Sequence, residues 1–274
     1  MNYRLLAVDM DGTVLNREKK ITPRTAEAIR RGLASGKEIL FATGRCPSEM
    51  TEYLREFPDM RYAMCLSGAL IFDAKSGNAL SAVTISSELA EQVLKIADQL
   101  DVMVNIYAGN DVFVEKRRRG NMEHFNCQCF AALYDSCAVW VDDIRSVLHD
   151  KAGEIYKINF YCHDRETWEK GRQLLEKLPL TYNSGIPLNF EISPQNVSKG
   201  MGLEILSRVT GIPLSQMIAV GDEGNDLEMV QTAGLGVAMG NAIEPIKAVA
   251  DAMTNDCDHD GVAEVIETYL LVKE

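Results

Sequence analysis

The chain has 274 residues, of which 46% are hydrophobic and 25% are charged, so it can bury the core of one large domain or of two ordinary ones. Its formal net charge of -12 disfavours nonspecific binding to nucleic acid or to anionic membrane surfaces. The seven cysteines are scattered and include no C-x-x-C pair, and no apolar run approaches the roughly 20 residues of a spanning helix, so we expect an untargeted protein of a reducing cytoplasm.

The N-terminal segment alternates short apolar runs with amphipathic stretches, which is the rhythm of βαβ units. The predicted elements are strands at 5–8 and 38–42 and helices at 22–35 and 47–56. The first helix has Thr22 as its N-cap, Pro23 in its first turn and Gly36 just beyond its end. The two apolar runs, "LLAV" and "EILFA", are typical of parallel strands that are buried on both faces.

The middle of the chain has a different pattern, with a β-hairpin predicted to turn at Gly109 and Asn110. The other elements predicted there are helices at 87–99 and 164–177 and a strand at 154–161. The βαβ rhythm then returns, with strands at 217–220 and 235–239 and helices that begin near Asn225 and Gly261. We therefore predict an α/β protein with a discontinuous core domain of residues 1–82 and 186–274 and an inserted α/β domain of residues 83–185.

Two carboxylates follow the first predicted strand in "DMDGT", where Asp9 and Asp11 are separated by one residue. Ligands of open parallel sheets bind at the carboxyl ends of the strands, and a turn at Gly12 would direct both carboxylates into one crevice. An EF-hand loop is excluded, because its glycine is the sixth residue and Gly12 is the fourth here. A solvated turn in which the aspartates cap the next segment stays open on these residues alone.

Three more stretches place polar groups at the ends of predicted elements. "FATGR" places Thr43 and the Gly44 amide ahead of a helix, where hydroxyl and N–H groups bind phosphate. "NVSKG" supplies Lys199, a cation that can balance phosphate and carboxylate charge. "VGDEGND" places Asp222 and Asp226 after a buried strand, and carboxylate oxygens are the ligands that Mg²⁺ prefers.

The ordered set of motifs resembles the haloacid dehalogenase (HAD) superfamily, and within it the Cof-type sugar-phosphatase branch. "DMDGTVLN", "ATGR", "VSKG" and "GDEGND" match the four motifs of the superfamily in order, and "AMGNA" at 238–242 and "DHDGVAEVI" at 258–266 match the Cof-type ending. The resemblance covers the chain. It implies a Rossmann-like core, with a parallel sheet flanked by helices, and an inserted α/β cap domain.

The resemblance also implies roles for individual residues. Asp9 would be the nucleophile that forms an aspartyl-phosphate, and Asp11 the acid for the leaving oxygen and then the base for water. Asp9 is then expected to be ionised, and Asp11 to hold its proton near neutral pH. The other implied roles are Mg²⁺ binding by the Asp9 carboxylate, the Asp11 backbone carbonyl and Asp222, support of this site by Asp226, and phosphate binding by Thr43, Gly44, Lys199 and Asn225.

The expected function is that of a Mg²⁺-dependent phosphatase for a small phosphorylated metabolite, with sugar phosphates as candidates. A phosphomannomutase-like phosphomutase and a non-catalytic regulator that binds Mg²⁺ or a metabolite are the alternatives. No nucleic acid or membrane partner is expected, and the protein is expected to be a monomer or a small homo-oligomer. The sequence leaves the physiological substrate open.

Two residues depart from the family pattern: Ser67 stands where asparagine is frequent, and Asn196 where glycine is frequent. We expect these two departures to affect contacts with the substrate and not the catalytic steps. The basic run "KRRRG" at 116–120 is interpreted as solvated charge rather than as an anion site, and so is Arg45.

A zinc site is a further hypothesis that the sequence raises, because His124 is close in sequence to Cys127 and Cys129. The spacing is irregular, and cysteines that bind no metal are far commoner. No zinc is therefore assigned.

Overall fold

The computed structural model describes residues 2–272, and the chain divides into two compact units. The first unit contains the described residues up to Arg45, then Glu52–Ser81 and the residues from Ser198 onward. The second contains Cys46–Thr51 and Ala82–Val197. The predicted α/β fold, a core that is interrupted by an inserted α/β domain, is confirmed.

The strands, in chain order, are β1 Leu5–Val8, β2 Glu38–Ala42, β3 Tyr62–Cys65, β4 Leu70–Asp73, β5 Asn78–Ala82, β6 Val102–Ala108, β7 Asp111–Glu115, β8 Val139–Val141, β9 Ile155–Cys162, β10 Leu180–Asn183, β11 Asn189–Pro194, β12 Met217–Gly221, β13 Leu235–Ala238 and β14 Ala252–Met253. The α-helices are α1 Pro23–Ala34, α2 Thr51–Glu56, α3 Ser87–Ala97, α4 Ala131–Cys137, α5 Ser146–Asp150, α6 Arg165–Leu175, α7 Lys199–Thr210, α8 Leu227–Thr232, α9 Glu244–Val249 and α10 Gly261–Val265. Within the described residues, no helix is both long and apolar enough to cross a membrane.

The first unit is built around a sheet with the strand order β14-β13-β12-β1-β2-β3-β4-β5. The strands from β14 to β3 are parallel, and β4 is antiparallel to β3. Strand β1 is buried throughout and lies between β12 and β2. Its last residue, Val8, is opposite Val220 on one side and Phe41 on the other, so the carboxyl ends of these three strands lie side by side.

Helix α1 shows how local sequence signals fix one of the flanking helices. Thr22 caps its start by accepting a hydrogen bond from the Thr25 N–H, and Pro23 occupies the first turn, where a missing N–H costs nothing. The chain leaves the helix through Gly36, whose φ is +79°. The predicted boundaries and caps of this helix are confirmed.

The second unit is built around a sheet with the strand order β10-β11-β9-β6-β7-β8, antiparallel except for β7 with β8. The predicted hairpin is confirmed, since Ala108 pairs with Asp111 across the turn and Gly109 has a φ of +57°. The unit has its own apolar core, in which α3 and α6 pack beside β9.

The second unit continues to Val197, beyond the boundary at residue 185 expected from the sequence. The physical reason is strand β11, which pairs with both β9 and β10 and so belongs to the sheet of the second unit. The short stretch Cys46–Thr51 also packs with this unit.

Candidate active site

Asp9 is the first residue after β1 and is only 6% exposed. Its N–H donates to the carbonyl of Val220, which extends the pairing of β1 with β12 by one residue. The chain then turns tightly, because the Val14 N–H donates back to the Asp9 carbonyl. The buried strand therefore delivers the Asp9 side chain to the carboxyl edge of the sheet, as the sequence predicts.

Gly12 makes this turn possible. Its φ is +88°, a conformation that side chains disfavour, and a Cβ placed there would lie 2.4 Å from Oδ2 of Asp222. Glycine thus allows the backbone of the turn to approach the carboxylate of the neighbouring strand end. The D-x-D-G spacing has a steric basis in this contact.

Lys199 is the first residue of α7, whose N-cap Ser198 accepts a hydrogen bond from the Met201 N–H. The Lys199 side chain is fully buried. Its Nζ donates to Oδ1 of Asp9 and to Oδ1 of Asp226, both at 2.5 Å. Two of the three donors of the ammonium group are therefore used by carboxylates.

Asp222 and Asp226 lie just beyond β12 and are 6% and 0% exposed. Oδ2 of Asp226 accepts hydrogen bonds from the N–H groups of Asp222 at 2.9 Å and Glu223 at 3.1 Å, so this carboxylate organises the loop. Asp222 accepts from the Thr13 hydroxyl at 2.7 Å and from Nδ2 of Asn241 at 3.1 Å.

Thr13 and Asn241 are site residues that are not among those predicted from the sequence. Both lie in family motifs, "DMDGT" and "AMGNA", and Nδ2 of Asn241 also donates to the Gly12 carbonyl at 2.9 Å. Their position inside these motifs was the available signal. They hold Asp222 in place against the turn that carries Asp9.

Asp9, Asp222 and Asp226 form what we call the carboxylate cluster, in which one oxygen from each residue lies within 4.8 Å of the others. Burial, and then Asp226, raises the pKa of Asp9 well above its ordinary value, although Lys199 opposes this shift. Burial also raises the pKa of Asp222 to about 6, against the Thr13 hydroxyl. Burial alone would lower the pKa of Lys199, but Asp226 and Asp9 outweigh it and raise it.

The carboxylate cluster fits a divalent cation. Three buried carboxylates share one buried ammonium group, so ionisation of all three would leave an excess of negative charge in a poorly solvated place. Oxygen ligands of this kind suit Mg²⁺. The residues expected from the sequence to bind or support the metal through their side chains are therefore brought together.

Asp11 has a different environment from Asp9. Its carboxylate accepts hydrogen bonds from Nε of Arg45 at 2.9 Å, Nη2 of Arg45 at 2.8 Å and Nζ of Lys19 at 2.8 Å. Burial would raise the pKa of Asp11, but Arg45 and then Lys19 lower it to about 2. The two aspartates thus differ in their surroundings, because cations lower the pKa of Asp11 while burial raises that of Asp9.

Arg45 corrects one expectation from the sequence. The sequence predicts solvated charge at this position, but the Arg45 side chain is only 16% exposed and binds Asp11 through two nitrogens. Its guanidinium also lies 5.6 Å from the ring centre of Tyr53. Arg45 is therefore part of the site.

The expected phosphate-binding residues lie at the ends of neighbouring elements. Thr43 follows β2, is buried, and accepts a hydrogen bond from the Arg45 N–H through its hydroxyl. Gly44 is half-buried in the next position. Asn225 is exposed in the 3₁₀ turn Gly224–Asp226, next to the carboxylate cluster in sequence.

The profile of the haloacid dehalogenase-like hydrolases matches residues 6–266. The chain belongs to this family. Phosphatase YwpJ from Bacillus subtilis (strain 168) is 28% identical to it over 285 residues, which cover 97% of this chain and 100% of that protein. The 5-amino-6-(5-phospho-D-ribitylamino)uracil phosphatase YitU from the same organism is 27% identical over 277 residues, 97% of each protein.

Solved structures agree with this assignment. The crystal structure of a haloacid dehalogenase-like hydrolase from Bacteroides thetaiotaomicron has a TM-score of 0.84 and 27% identity to the chain, and covers 97% of this chain and 99% of that one. The HAD core and its inserted domain are thus shared along almost the full length. As a member of this family the protein is a hydrolase, and both of the relatives above are named phosphatases.

The two departures from the HAD family pattern both fall at left-handed backbone positions. Ser67 has a φ of +54° and Asn196 a φ of +63°. Asparagine tolerates this conformation better than most residues, which explains why it can replace glycine at position 196. Beside Ser67, Gly68 has a φ of +99°, and a Cβ there would lie 2.1 Å from the Ser198 carbonyl.

The basic run is a feature of the second unit and forms the 3₁₀ segment Lys116–Asn121. Lys116 pairs with Asp142 at 2.9 Å, Arg117 with Glu115 and Arg119 with Asp135 at 2.8 Å each. These three cations are more than half exposed, in line with the interpretation as solvated charge. Arg118 departs from it, because its side chain is 24% exposed and its guanidinium lies 4.8 Å from the ring centre of Phe125.

Proposed function

We propose that this protein is a Mg²⁺-dependent phosphatase of a small phosphorylated metabolite and acts through an aspartyl-phosphate on Asp9. One observation carries the proposal. The buried carboxylate cluster shares a single ammonium group, and this excess of negative charge would be balanced by a divalent cation and would repel a phosphate without one. Phosphoryl transfer needs mainly positioning and charge neutralisation, which such a site supplies.

The carboxylates of Asp9 and Asp222 and the backbone carbonyl of Asp11 would hold the metal. Asp226 would support the site through Lys199 and through the two N–H groups that it binds. When bound, Mg²⁺ supplies positive charge that favours the ionised form of Asp9 and neutralises charge on the phosphoryl oxygens.

Asp9 is suited to be the nucleophile because its side chain stands at the carboxyl edge of the sheet beside Lys199. One of its oxygens would attack phosphorus as the bond from phosphorus to the substrate oxygen breaks. The leaving oxygen would take a proton from Asp11. Water would then hydrolyse the aspartyl-phosphate and give its proton to Asp11, which restores both aspartates.

This role requires Asp11 to change its surroundings during turnover. In the structure its ion pairs with Arg45 and Lys19 favour the carboxylate. A phosphoryl group that attracts Arg45 or Lys19 would weaken these pairs and raise the pKa of Asp11, which would allow it to hold the proton that a leaving alkoxide needs. Arg45 would thus link the arrival of substrate to the protonation of Asp11.

Thr43, Gly44, Lys199 and Asn225 would bind the phosphoryl group. Lys199 retains one donor beyond the two that it gives to carboxylates, and Thr43 offers a hydroxyl at the end of the neighbouring strand. Together these groups would provide hydrogen bonds and positive charge for the phosphoryl oxygens.

The relatives support a small-metabolite substrate, since YitU is named for a phosphorylated ribitylamino-uracil. Release of inorganic phosphate should therefore be measured with sugar phosphates, the substrate in the name of YitU and an aryl phosphate. We expect release from at least one of them without an added bisphosphate, its loss on chelation and its recovery with Mg²⁺.

The alternatives give different products in the same assay. A bisphosphate-dependent isomerisation of a sugar phosphate would indicate a phosphomutase, and binding without turnover would indicate a regulator. Full activity in metal-free buffer would contradict the metal requirement. Asp222→Asn should raise the Mg²⁺ concentration needed for half-maximal activity, whereas the exposed-site control Asp59→Asn should not.

A further inference from the structure

A second group of metal-ligating side chains lies in the second unit, away in sequence from every residue of the proposed active site. Asp101, His124 and His163 each place one ligand atom within 4.8 Å of the others. All three are exposed, so solvent and dissolved ions can reach them. We call these residues the histidine cluster.

Three separate segments bring the histidine cluster together. Asp101 precedes β6, His124 lies between the 3₁₀ segment that ends at Asn121 and α4, and His163 follows β9. Nε2 of His124 is 2.7 Å from Oδ2 of Asp101. The rings of His124 and His163 are stacked, with their centres 3.9 Å apart and their planes at 11°.

Hydrogen bonds to backbone carbonyls hold these segments in place independently of the side chains of Asp101, His124 and His163. The His163 N–H donates to the Asp101 carbonyl at 3.3 Å. Asn126, which has a φ of +56°, donates through Nδ2 to the carbonyls of Cys162 at 3.0 Å and His163 at 2.9 Å. The cluster is therefore built on a prearranged frame, which reduces the cost of ordering ligands when an ion binds.

The hydrogen bond of His163 leaves a nitrogen for a metal. Its Nδ1 lies 3.2 Å from the His124 carbonyl, and a carbonyl oxygen can only accept, so Nδ1 must carry the proton of this bond. In the neutral ring Nε2 then has a lone pair. Metal-binding histidines commonly donate their other ring N–H to a backbone carbonyl in this way.

His124 can bind a metal through Nε2 only after this nitrogen loses its proton. Its Nε2 faces the Asp101 carboxylate, so in the metal-free protein this nitrogen carries a proton. Metal binding would displace that proton, either to Nδ1 of the same ring or to solvent, and would let the Asp101 oxygen bind the same ion. Ligand atoms around tetrahedral zinc are about 3.3 Å apart, and the ion lies in the plane of each imidazole that binds it. Zinc binding would therefore require the stacked rings of His124 and His163 to rotate until their free nitrogens converge.

We propose that the histidine cluster is a Zn²⁺ site, with Asp101, His124 and His163 as three ligands and water as the fourth. Two imidazoles and one carboxylate match the nitrogen and oxygen ligands of zinc, whereas Mg²⁺ prefers oxygen alone. The site differs in residues from the His124, Cys127 and Cys129 set that the sequence raised. Cys127 is buried and its thiol donates toward Met103, so its sulfur is not placed to bind a metal together with His124.

Zinc at this position would tie the loops before β6 and after β9 to the segment that carries His124. Because the ion binds the folded arrangement, it would stabilise the second unit by mass action. We therefore assign the zinc site the function of stabilising these three segments. This function does not depend on the proposed catalytic chemistry.

The test is a Zn²⁺ titration of the full-length protein in excess Mg²⁺, which is added to compete with Zn²⁺ for the oxygen-rich carboxylate cluster. The chain has four histidines, so imidazole ¹⁵N resonances can be followed one by one in an NMR spectrum. We expect Zn²⁺ to shift the resonances of His124 and His163, and calorimetry to show one zinc site that weakens more than about tenfold in Asp101→Asn and is lost in His163→Gln.

The matched control is His259→Gln. His259 is also exposed and pairs with a carboxylate, Asp256, at 2.6 Å, but it belongs to the first unit. We expect this variant to bind zinc like the unchanged protein. Equal zinc affinity in His163→Gln and the unchanged protein, or shifts at His149 and His259 alone, would overturn the proposal. Should His163→Gln fail to fold by circular dichroism, His124→Gln gives the same test.

Discussion

The carboxylate cluster and the histidine cluster each gather three metal-ligating side chains, but the first is buried in the parallel-sheet unit and the second is exposed in the other unit. The carboxylate cluster presents only oxygen ligands and already encloses a lysine. The histidine cluster presents mostly nitrogen ligands and has its carboxylate paired with an imidazole.

Burial determines how strongly the loss of one charged side chain affects each cluster. In the carboxylate cluster, solvent cannot replace a lost partner, so the loss of one charge should change stability and chemistry together. In the histidine cluster, water can replace any partner, so the same kind of loss should change metal binding with little effect on the fold.

The largest effect is expected for Asp9→Asn. An amide cannot attack phosphorus, so turnover of every phosphate ester should fall by at least about 10⁴-fold. Phosphate release measured in excess Mg²⁺ checks this, with Asp59→Asn as the exposed control in the same unit. Retention of a tenth of the activity in Asp9→Asn would show that another group is the nucleophile.

Lys199→Met should give the largest change in stability. The substitution leaves the Asp9 and Asp226 carboxylates buried without their cation, which we expect to cost about 3–5 kcal/mol in the free energy of unfolding. Urea unfolding at pH 8, followed by circular dichroism in the presence of a chelator, measures it. Lys75→Met, at an exposed position of the same unit, should change the value by less than about 0.5 kcal/mol. Similar values for the two variants would contradict the contrast.

Asp11→Asn should be selective for the leaving group. A sugar alkoxide needs a proton to leave and a nitrophenolate does not, so enzyme phosphorylation should slow by about 100-fold or more with a sugar phosphate and far less with the aryl phosphate. Single-turnover kinetics are required, because Asp11 is also expected to activate water in the second step. Equal losses for the two substrates would mean that Asp11 is not the acid.

Gly12→Ala should weaken the metal site more than the fold. Gly12 and Gly36 both have positive φ, so alanine at either position should destabilise the protein by about 1 kcal/mol. Only at Gly12 would the new Cβ meet the Asp222 carboxylate, whereas at Gly36 nothing lies within 4 Å. The Mg²⁺ concentration for half-maximal activity should therefore rise about tenfold in Gly12→Ala alone. The same rise in Gly36→Ala would point to a general effect of backbone strain.

The smallest effect is expected for His124→Gln in metal-free buffer. The His124 side chain is 43% exposed and that of Asp101 51%, so loss of their pair should change the free energy of unfolding by less than about 1 kcal/mol. The urea experiment used for Lys199→Met measures both on one scale. A decrease of about 3 kcal/mol in the free energy of unfolding would show that the exposed histidine cluster is as sensitive to the loss of a charged partner as the buried carboxylate cluster.

Much of the fold and of the carboxylate cluster follows from the sequence. Parallel strands covered on both faces require unbroken apolar runs, which is why "LLAV" and "MIAV" locate β1 and β12 and so place Asp9 and Asp222 at neighbouring strand ends. The hairpin at Gly109 and the caps of α1 are equally local. These features depend on residues within a few positions of one another.

Only the tertiary structure determined the properties that depend on residues distant in sequence, namely pKa values and side-chain partners. The pKa of Asp11 is low because Arg45 and Lys19 meet it, and that of Asp9 is high because the folded core excludes water from it. His124 contacts Asp101 and His163 rather than the cysteines close to it in sequence. The reason is that the loop before β6 and the loop after β9 both lie beside His124. Spacing along the chain predicts which residues share a strand end, but charge, burial and contact between segments arise only when the chain has folded.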